Sequence, residues 1–338
     1  SGSALSGDPA WAAWLPWYQV MHGMQGLWVS PGFGGSALTG GTPVLDPDGQ
    51  PSTAFRALSS SVGELKSGIG ALLLNAVRER ARIAIYDSHV SEHLAHFLDM
   101  RSPADGQGMF VSVLEDLGYQ YDIVSSEQVI SGKLLDYAVV VLPRVWALDD
   151  MEMAALEACR AKGGLLIADV VPGQYTEHGA RREGCPLDQV FKRADRAVLL
   201  DVQNDEVDDE TVGAALGRLL RDHKVPPTVA LHKGDDFDGE RVVSQYGAAT
   251  LVTLLRKPDD GGKRVKVGLA FPKQMSVYEV RAGKRFRRPE KVFLDLRPGE
   301  PGVVAALPYE VAGVQITAPK SIRPGDRLPI SVTIDTRG

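Results

Sequence analysis

The sequence predicts an α/β protein: a flavodoxin-like, doubly wound parallel sheet, preceded by the last strand and helices of an α/β barrel and followed by an antiparallel β-sandwich. Three observations predict it. Between about residues 79 and 200, continuous apolar runs alternate with helical patterns, as parallel strands covered on both faces do. Beyond Pro226-Pro227 the runs become short and alternating, separated by Gly, Pro and Asp turns, which suits a sandwich. Ahead of both, Ala10–Phe33 (AWAAWLPWYQVMHGMQGLWVSPGF) reads as a helix leading into one short apolar strand and a Gly-rich loop.

In the first segment, 1–78, the strand is placed at Gly26–Ser30. A loop rich in Gly, Pro and Asp follows over Pro31–Pro51, then an amphipathic helix from Thr53 towards Ala76. Phe55, Leu58, Val62, Leu65, Ile69, Leu72 and Leu73 recur at the three- and four-residue spacing of one buried face. One strand and two helices cannot close a barrel, so this face is expected to pack on another domain, another chain or further barrel parts, and self-association is expected. Trp11, Trp14 and Trp17 share helical spacing and read as packing; Pro16 fits a first helical turn better than a helix interior.

The second segment, 79–200, carries four strand candidates: ARIAIYDS (81–88), YQYDIVSS (119–126), YAVVVLP (137–143) and GLLIADVV (164–171). Helices are expected near Ser91–Met100, Gly108–Leu117, Glu127–Leu134 and Asp149–Lys162. Asp149-Asp150 provides a helix start and Gly163-Gly164 a stop. The third segment, 201–310, opens with an acidic, helix-prone connection (DEVDDETVGAALGRLLRDH) and continues as the sandwich. The last, 311–338, resembles the first strands of a further β domain cut off before closure.

With 338 residues, 44% of them hydrophobic, the chain can bury more than one core. A net charge of -6 with both signs mixed leaves no broad basic face, and no run approaches the ~20 apolar residues of a membrane span, so neither nucleic acid nor membrane is expected as a partner. Cys159 and Cys185 form neither a disulfide framework nor a zinc cluster. The N-terminal SGSALSG has neither a basic nor an apolar region, reads as a cut point, and leaves localisation undetermined.

Taken in order, HGMQGLWVSPGF, the helix ending in SGIGALLLNA, ARIAIYDSHVSEH, the YQYDIV and GGLLIADV strands, VYEVRAGK and LRPGEPGVVAALP resemble the β-galactosidase-like glycoside hydrolases of the family 42 type, over most of the chain. The resemblance implies a catalytic α/β barrel, then a class I amidotransferase-like domain that mediates trimerisation, then a small β domain. It also implies a β-galactoside or related sugar as substrate, cleaved with retention by two glutamates. Such cleavage needs a proton donor and an attacking carboxylate about 5 Å apart. In such barrels these lie on strands earlier than Gly26–Ser30, and no Glu occurs here before Glu64. No catalytic residue is therefore assigned, and the chain is expected to be inactive alone.

Trp28 and Phe33 lie where the last barrel strand meets its C-terminal loop, so both are candidate sugar-binding residues. A glutamine amidotransferase would need a Cys on a sharp strand-to-helix turn. Here YAVVVLP is followed by Arg144-Val145-Trp146 and GLLIADV by Val171-Pro172-Gly173, while Cys159 falls in a helix. Asp87-Ser88-His89 follows the first strand, with Ser88 or Ser91 expected as a helix cap; Asp169 with Glu177 and His178 matches no standard metal spacing. Gly32-Phe33-Gly34-Gly35 opens no helix, so no cofactor is expected. Lys284–Arg288 reads as a solvated hairpin edge. The alternative to an accessory portion of a hydrolase is a non-catalytic carbohydrate-binding or assembly module.

Overall fold

The computed structural model describes residues 8–26, 44–46, 48–192, 196–200, 209–232, 237–258 and 262–337. The chain is mixed α/β, with one parallel sheet and several antiparallel ones, and it divides into two compact units. One comprises Glu79–Ala230 with Asp238–Val242; the other holds the described residues up to Arg78, those of 231–237, and Val243 onward. Among the described residues no helix is long and apolar enough to cross a membrane.

Helix α1 (Pro9–Met21) starts where Asp8 accepts the Ala10 N–H at 2.8 Å, with Pro9 in the first turn. Pro16 lies inside this helix rather than in its first turn, a correction to the sequence reading. Trp17 is buried, and Trp11, Trp14, Tyr18 and His22 form a ladder of rings along the helix, so the tryptophans do pack. The single helix expected from Thr53 to Ala76 is instead α2 (Thr53–Glu64), a wide π-type turn over Leu65–Ile69 and α3 (Gly70–Asn75). Gly68, at φ 123°, breaks the ladder in a conformation that side chains with a Cβ rarely adopt. The Ser61 hydroxyl donates to Ala13 O at 2.9 Å, tying α2 to α1. The two-residue strand β1 (Val77–Arg78) ends this part.

The first unit is built on a five-stranded parallel sheet of β2 (Ile83–Tyr86), β3 (Tyr121–Val124), β4 (Val139–Leu142), β5 (Leu165–Ala168) and β6 (Ala197–Leu199), in the order β3-β2-β4-β5-β6. Four strands were legible; β6 was not, because its three residues are too short to show a period. The helices are α4 (His89–Phe97), α5 (Pro103–Leu117), α6 (Ser126–Ile130), α7 (Asp150–Ala161), α8 (Pro186–Lys192) and α9 (Asp209–Asp222). Alternate strand residues feed two cores. Ala84, Tyr86, Val140 and Leu142 join Val129, Leu156 and Phe191 on one face; Ile83, Ile85, Val139 and Val141 join Phe110, Leu114, Leu216 and Leu220 on the other. The helix read as an acidic connection, α9, thus covers the sheet. Asp149 caps α7 in a reciprocal box with Glu152, and Gly163, at φ 99°, ends the turn after it.

Strands β7 (Gly239–Tyr246), β8 (Ala249–Arg256), β9 (Val265–Leu269), β10 (Ser276–Glu279), β11 (Lys284–Arg285), β12 (Val292–Leu296) and β13 (Pro301–Leu307) follow. They form a six-stranded sheet, β1-β7-β8-β13-β10-β11, and a pair, β9 with β12. On β12, Val292, Leu294 and Leu296 are buried while Phe293 and Asp295 are exposed, the period of a strand with one covered face. Gly302 on β13 comes so close to β12 that an added Cβ would lie 2.8 Å from Leu294 Cδ1. Lys284-Arg285 forms the edge strand, as the hairpin reading expected. β14 (Glu310–Thr317) and β15 (Ser331–Arg337) pair antiparallel.

Candidate functional site

The C-terminal edge of a parallel sheet is where doubly wound proteins hold ligands, and here the ends of β4 and β5 build a polar cavity. After β4 come Pro143 and then Arg144, whose φ is 43°. Two contacts from the end of β5 answer this left-handed turn. Asp169, 2% exposed, accepts the Arg144 N–H on Oδ1 at 2.6 Å, and its Oδ2 lies 3.7 Å from Arg144 Nε. Arg144 Nη1 also donates to Ser102 O at 2.9 Å, where α5 begins, and Trp146 Nε1 donates to Arg101 O at 3.0 Å. Gly106 in α5 leaves room for the pair: a Cβ there would lie 3.3 Å from both Arg144 Cγ and Asp169 Oδ2. Arg101, Arg144, Trp146, Asp169 and Gln174 line a cavity of about 370 Å³.

Burial pushes the Asp169 carboxyl above its usual 3.8, and the hydrogen bond and charge of Arg144 offset this only in part. The sharp turn after β4 is the feature that an amidotransferase-like nucleophile would need, yet it carries a guanidinium. Such a group can bind and orient an anion; it cannot attack a carbonyl. Sequence reasoning passed over Arg144 as a missing Cys and did not single out Arg101. Their place just beyond strand or helix boundaries at one sheet edge was the available signal.

The other sequence candidates do not converge. Ser88 caps α4, accepting the Ser91 N–H at 3.3 Å and donating to Ser91 Oγ at 2.8 Å, so it serves the backbone. His89 stands 3.9 Å from Asp87 with its side chain exposed. Asp169 faces Arg144, whereas His178 faces Glu177 at 3.5 Å. Cys159 is buried in α7, where burial pushes its thiol up, opposite to what a nucleophile needs. Cys185 donates to Pro172 O at 3.1 Å, and Arg182 turns to Leu148 O and Asp150. Trp28, Phe33 and the Gly32–Gly35 loop lie outside the described residues.

A second concavity, about 960 Å³, lies among α1, α2, the π-type turn and α3, lined by Pro16, Val20, Phe55, Leu58, Val62 and Leu74. It is the apolar helix face that the sequence left without a partner.

No protein-family model and no curated protein matches the sequence. Solved structures do match in fold. A catalytic mutant of a GH42 beta-galactosidase from G. stearothermophilus is 14% identical with a TM-score of 0.63, over 89% of this chain and 51% of that one. The beta-galactosidase from Bacillus circulans sp. alkalophilus is 13% identical with a TM-score of 0.57, over 78% and 47%. An exo-carrageenase GH42 from Bacteroides ovatus is 12% identical with a TM-score of 0.56, over 89% and 39%. The chain thus shares the fold of GH42 β-galactosidases over part of their length and spans about half the length of the first of these.

Proposed function

We propose that the chain is the C-terminal, oligomerising and accessory part of a retaining, β-galactosidase-like glycoside hydrolase, and that it does not cleave glycosides by itself. The observation that carries this reading is the match of 89% of the chain to half of a GH42 β-galactosidase. On this reading the parallel unit is an amidotransferase-like domain that builds a trimer. The strand order β3-β2-β4-β5-β6, sequence order 2-1-3-4-5 within the sheet, supports its flavodoxin-like topology. Arg144 in the place of a nucleophile supports a scaffolding role. The close approach of β13 to β12 supports a sandwich for the antiparallel part. Trp28 and Phe33 would face the sugar, and the two catalytic glutamates would belong to earlier barrel strands.

The test is a panel of nitrophenyl glycosides offered to the purified chain, with circular dichroism to show that it is folded and sedimentation to give its mass. The expected result is a folded trimer without turnover. Turnover that persists through further purification would overturn the accessory reading, and a strict monomer would overturn the oligomerising one.

A further inference from the structure

We infer that the outer face of α4, together with Asp87 just ahead of it, binds a divalent transition-metal ion through Asp87, His89 and His93. The first support is placement. Three of the chain's seven histidines, His89, His93 and His96, fall within α4. The helix buries Ser91, Leu94 and Ala95, so its opposite side presents His89 and His93 to solvent. These two stand four residues apart, which sets their Cβ atoms about 6 Å apart on a single face, one turn above the other, where two imidazoles can share one ion.

The second support is a third ligand already beside the first. Asp87 Oδ2 lies 3.9 Å from His89 Nε2. Two ligand atoms each about 2.0–2.1 Å from a tetrahedral ion stand about 3.4 Å apart, so a small rotation of either side chain admits the ion between them. The His89 side chain is 82% exposed and that of Asp87 43%, so both have room to rotate and water can fill the remaining position. The carboxylate also offsets the positive end of the helix, which by itself repels a cation. The third support is the engagement of the neighbouring groups, which singles out this set. Glu92, the acid of the first turn, accepts the Ala104 N–H at 3.1 Å and the Ser102 hydroxyl at 3.0 Å, which holds it towards α5. His96 lies a turn further on, its ring edge-on to Phe97 at 6.2 Å. Two imidazoles and one carboxylate suit Zn²⁺, Ni²⁺ or Cu²⁺ rather than Mg²⁺ or Ca²⁺, which take oxygen ligands. This inference is independent of the glycosidase reading.

The experiment titrates the purified chain with Zn²⁺ and follows binding by calorimetry and by the histidine ring signals in nitrogen-15 spectra. Saturable binding of one ion per chain is expected, with the His89 and His93 signals shifted and Mg²⁺ at least about a hundredfold weaker. Zn²⁺ is also expected to raise the melting temperature, and a chelator to restore it. His89→Ala and His93→Ala, at exposed positions and checked for folding by circular dichroism, are each expected to weaken Zn²⁺ about tenfold or more, and Asp87→Ala about threefold or more. His178→Ala, which removes the other histidine–carboxylate pair, is expected to leave the affinity within about twofold. No saturable binding, affinity unchanged in a folded His93→Ala protein, or Mg²⁺ bound as tightly as Zn²⁺ would overturn the inference. Affinity unchanged in Asp87→Ala would overturn the carboxylate ligand. Half an ion per chain with a doubled mass in sedimentation would place the metal between two copies and overturn the single-helix site.

Discussion

Arg281 grips Glu64 with a two-pronged fork, Nε to Oε1 at 2.5 Å and Nη2 to Oε2 at 3.0 Å, although 217 positions separate them. The same guanidinium donates to Pro301 O at 2.6 Å, meets Glu300 Oε1 at 3.3 Å and lies 5.6 Å from the centre of the Trp17 ring. Burial alone would lower its pKa, but Glu64 and Glu300 raise it, so it stays charged throughout the accessible pH range. One side chain thus joins the end of α2, the ring of α1 and the start of β13.

Arg281→Met keeps much of the apolar stem but leaves Glu64 and Glu300 without this partner. It is expected to cost about 2–3 kcal/mol, because a half-buried carboxylate loses a bidentate partner. Arg281→Lys is expected to recover less than half of that, since an ammonium cannot present a fork. Urea unfolding of the three proteins measures both numbers.

Tyr86 donates to Glu152, which also accepts the Ser126 hydroxyl and the Asp149 N–H, so one buried carboxylate gathers β2, α6 and the start of α7. Glu152→Ala is expected to destabilise by about 3 kcal/mol and Tyr86→Phe by about 1 kcal/mol. A larger loss for Tyr86→Phe than for Glu152→Ala would contradict the carboxylate's place at the centre of the network.

Burial and Glu152 raise the Tyr86 phenol above its ordinary 10.0; burial and Asp122 do the same for Tyr137. A raised folded-state pKa contributes stability that is fully present below pH 10 and is lost as the pH climbs from there towards the folded pKa. Each phenol is expected to contribute a loss of up to about 1.4 kcal/mol per pH unit in that window. Thermal melts between pH 9 and about pH 12 should show a shallower decline in Tyr86→Phe than in the parent.

Asp169 is expected to titrate above 3.8, because burial dominates, and to move higher still in Arg144→Gln, which removes the cation but keeps the backbone N–H. With the pKa raised in the folded state, this group gains stability as the pH falls through that value towards 3.8. Carbon-13 titration of the Asp169 carboxyl reads it directly. A midpoint below 3.8 in either protein would remove burial as the governing effect.

Gly118 and Gly132 have nearly the same φ, 81° and 85°, but unequal surroundings. A Cβ at Gly118 would lie 2.8 Å from Val229 O and against the Arg241 guanidinium, while at Gly132 it would meet nothing within 4 Å. Gly132→Ala should cost about 1 kcal/mol, the backbone strain alone. Gly118→Ala should cost about 2–4 kcal/mol, and chemical denaturation of the pair separates strain from collision.

Several features were legible by reading along the chain, because their signals are local. The runs that became β2, β4 and β5 show their burial as unbroken apolar stretches, whereas β3 is interrupted by Asp122 and buries only its ends; Asp149 and Gly163 mark the bounds of α7 through capping chemistry. The same reading missed the break at Gly68, since an apolar stripe of helical period continues on both sides of it and one glycine does not announce a π-type turn. It also took α9 for a connection, although Val212, Leu216 and Leu220 lie against the sheet. The sequence by itself thus determined the order and kind of most elements, because periodicity and caps act within a few residues. Only the tertiary structure decided that Arg144 meets Asp169 and that Arg281 meets Glu64: parallel strands joined by crossovers and packed layers bring together side chains that no local pattern links.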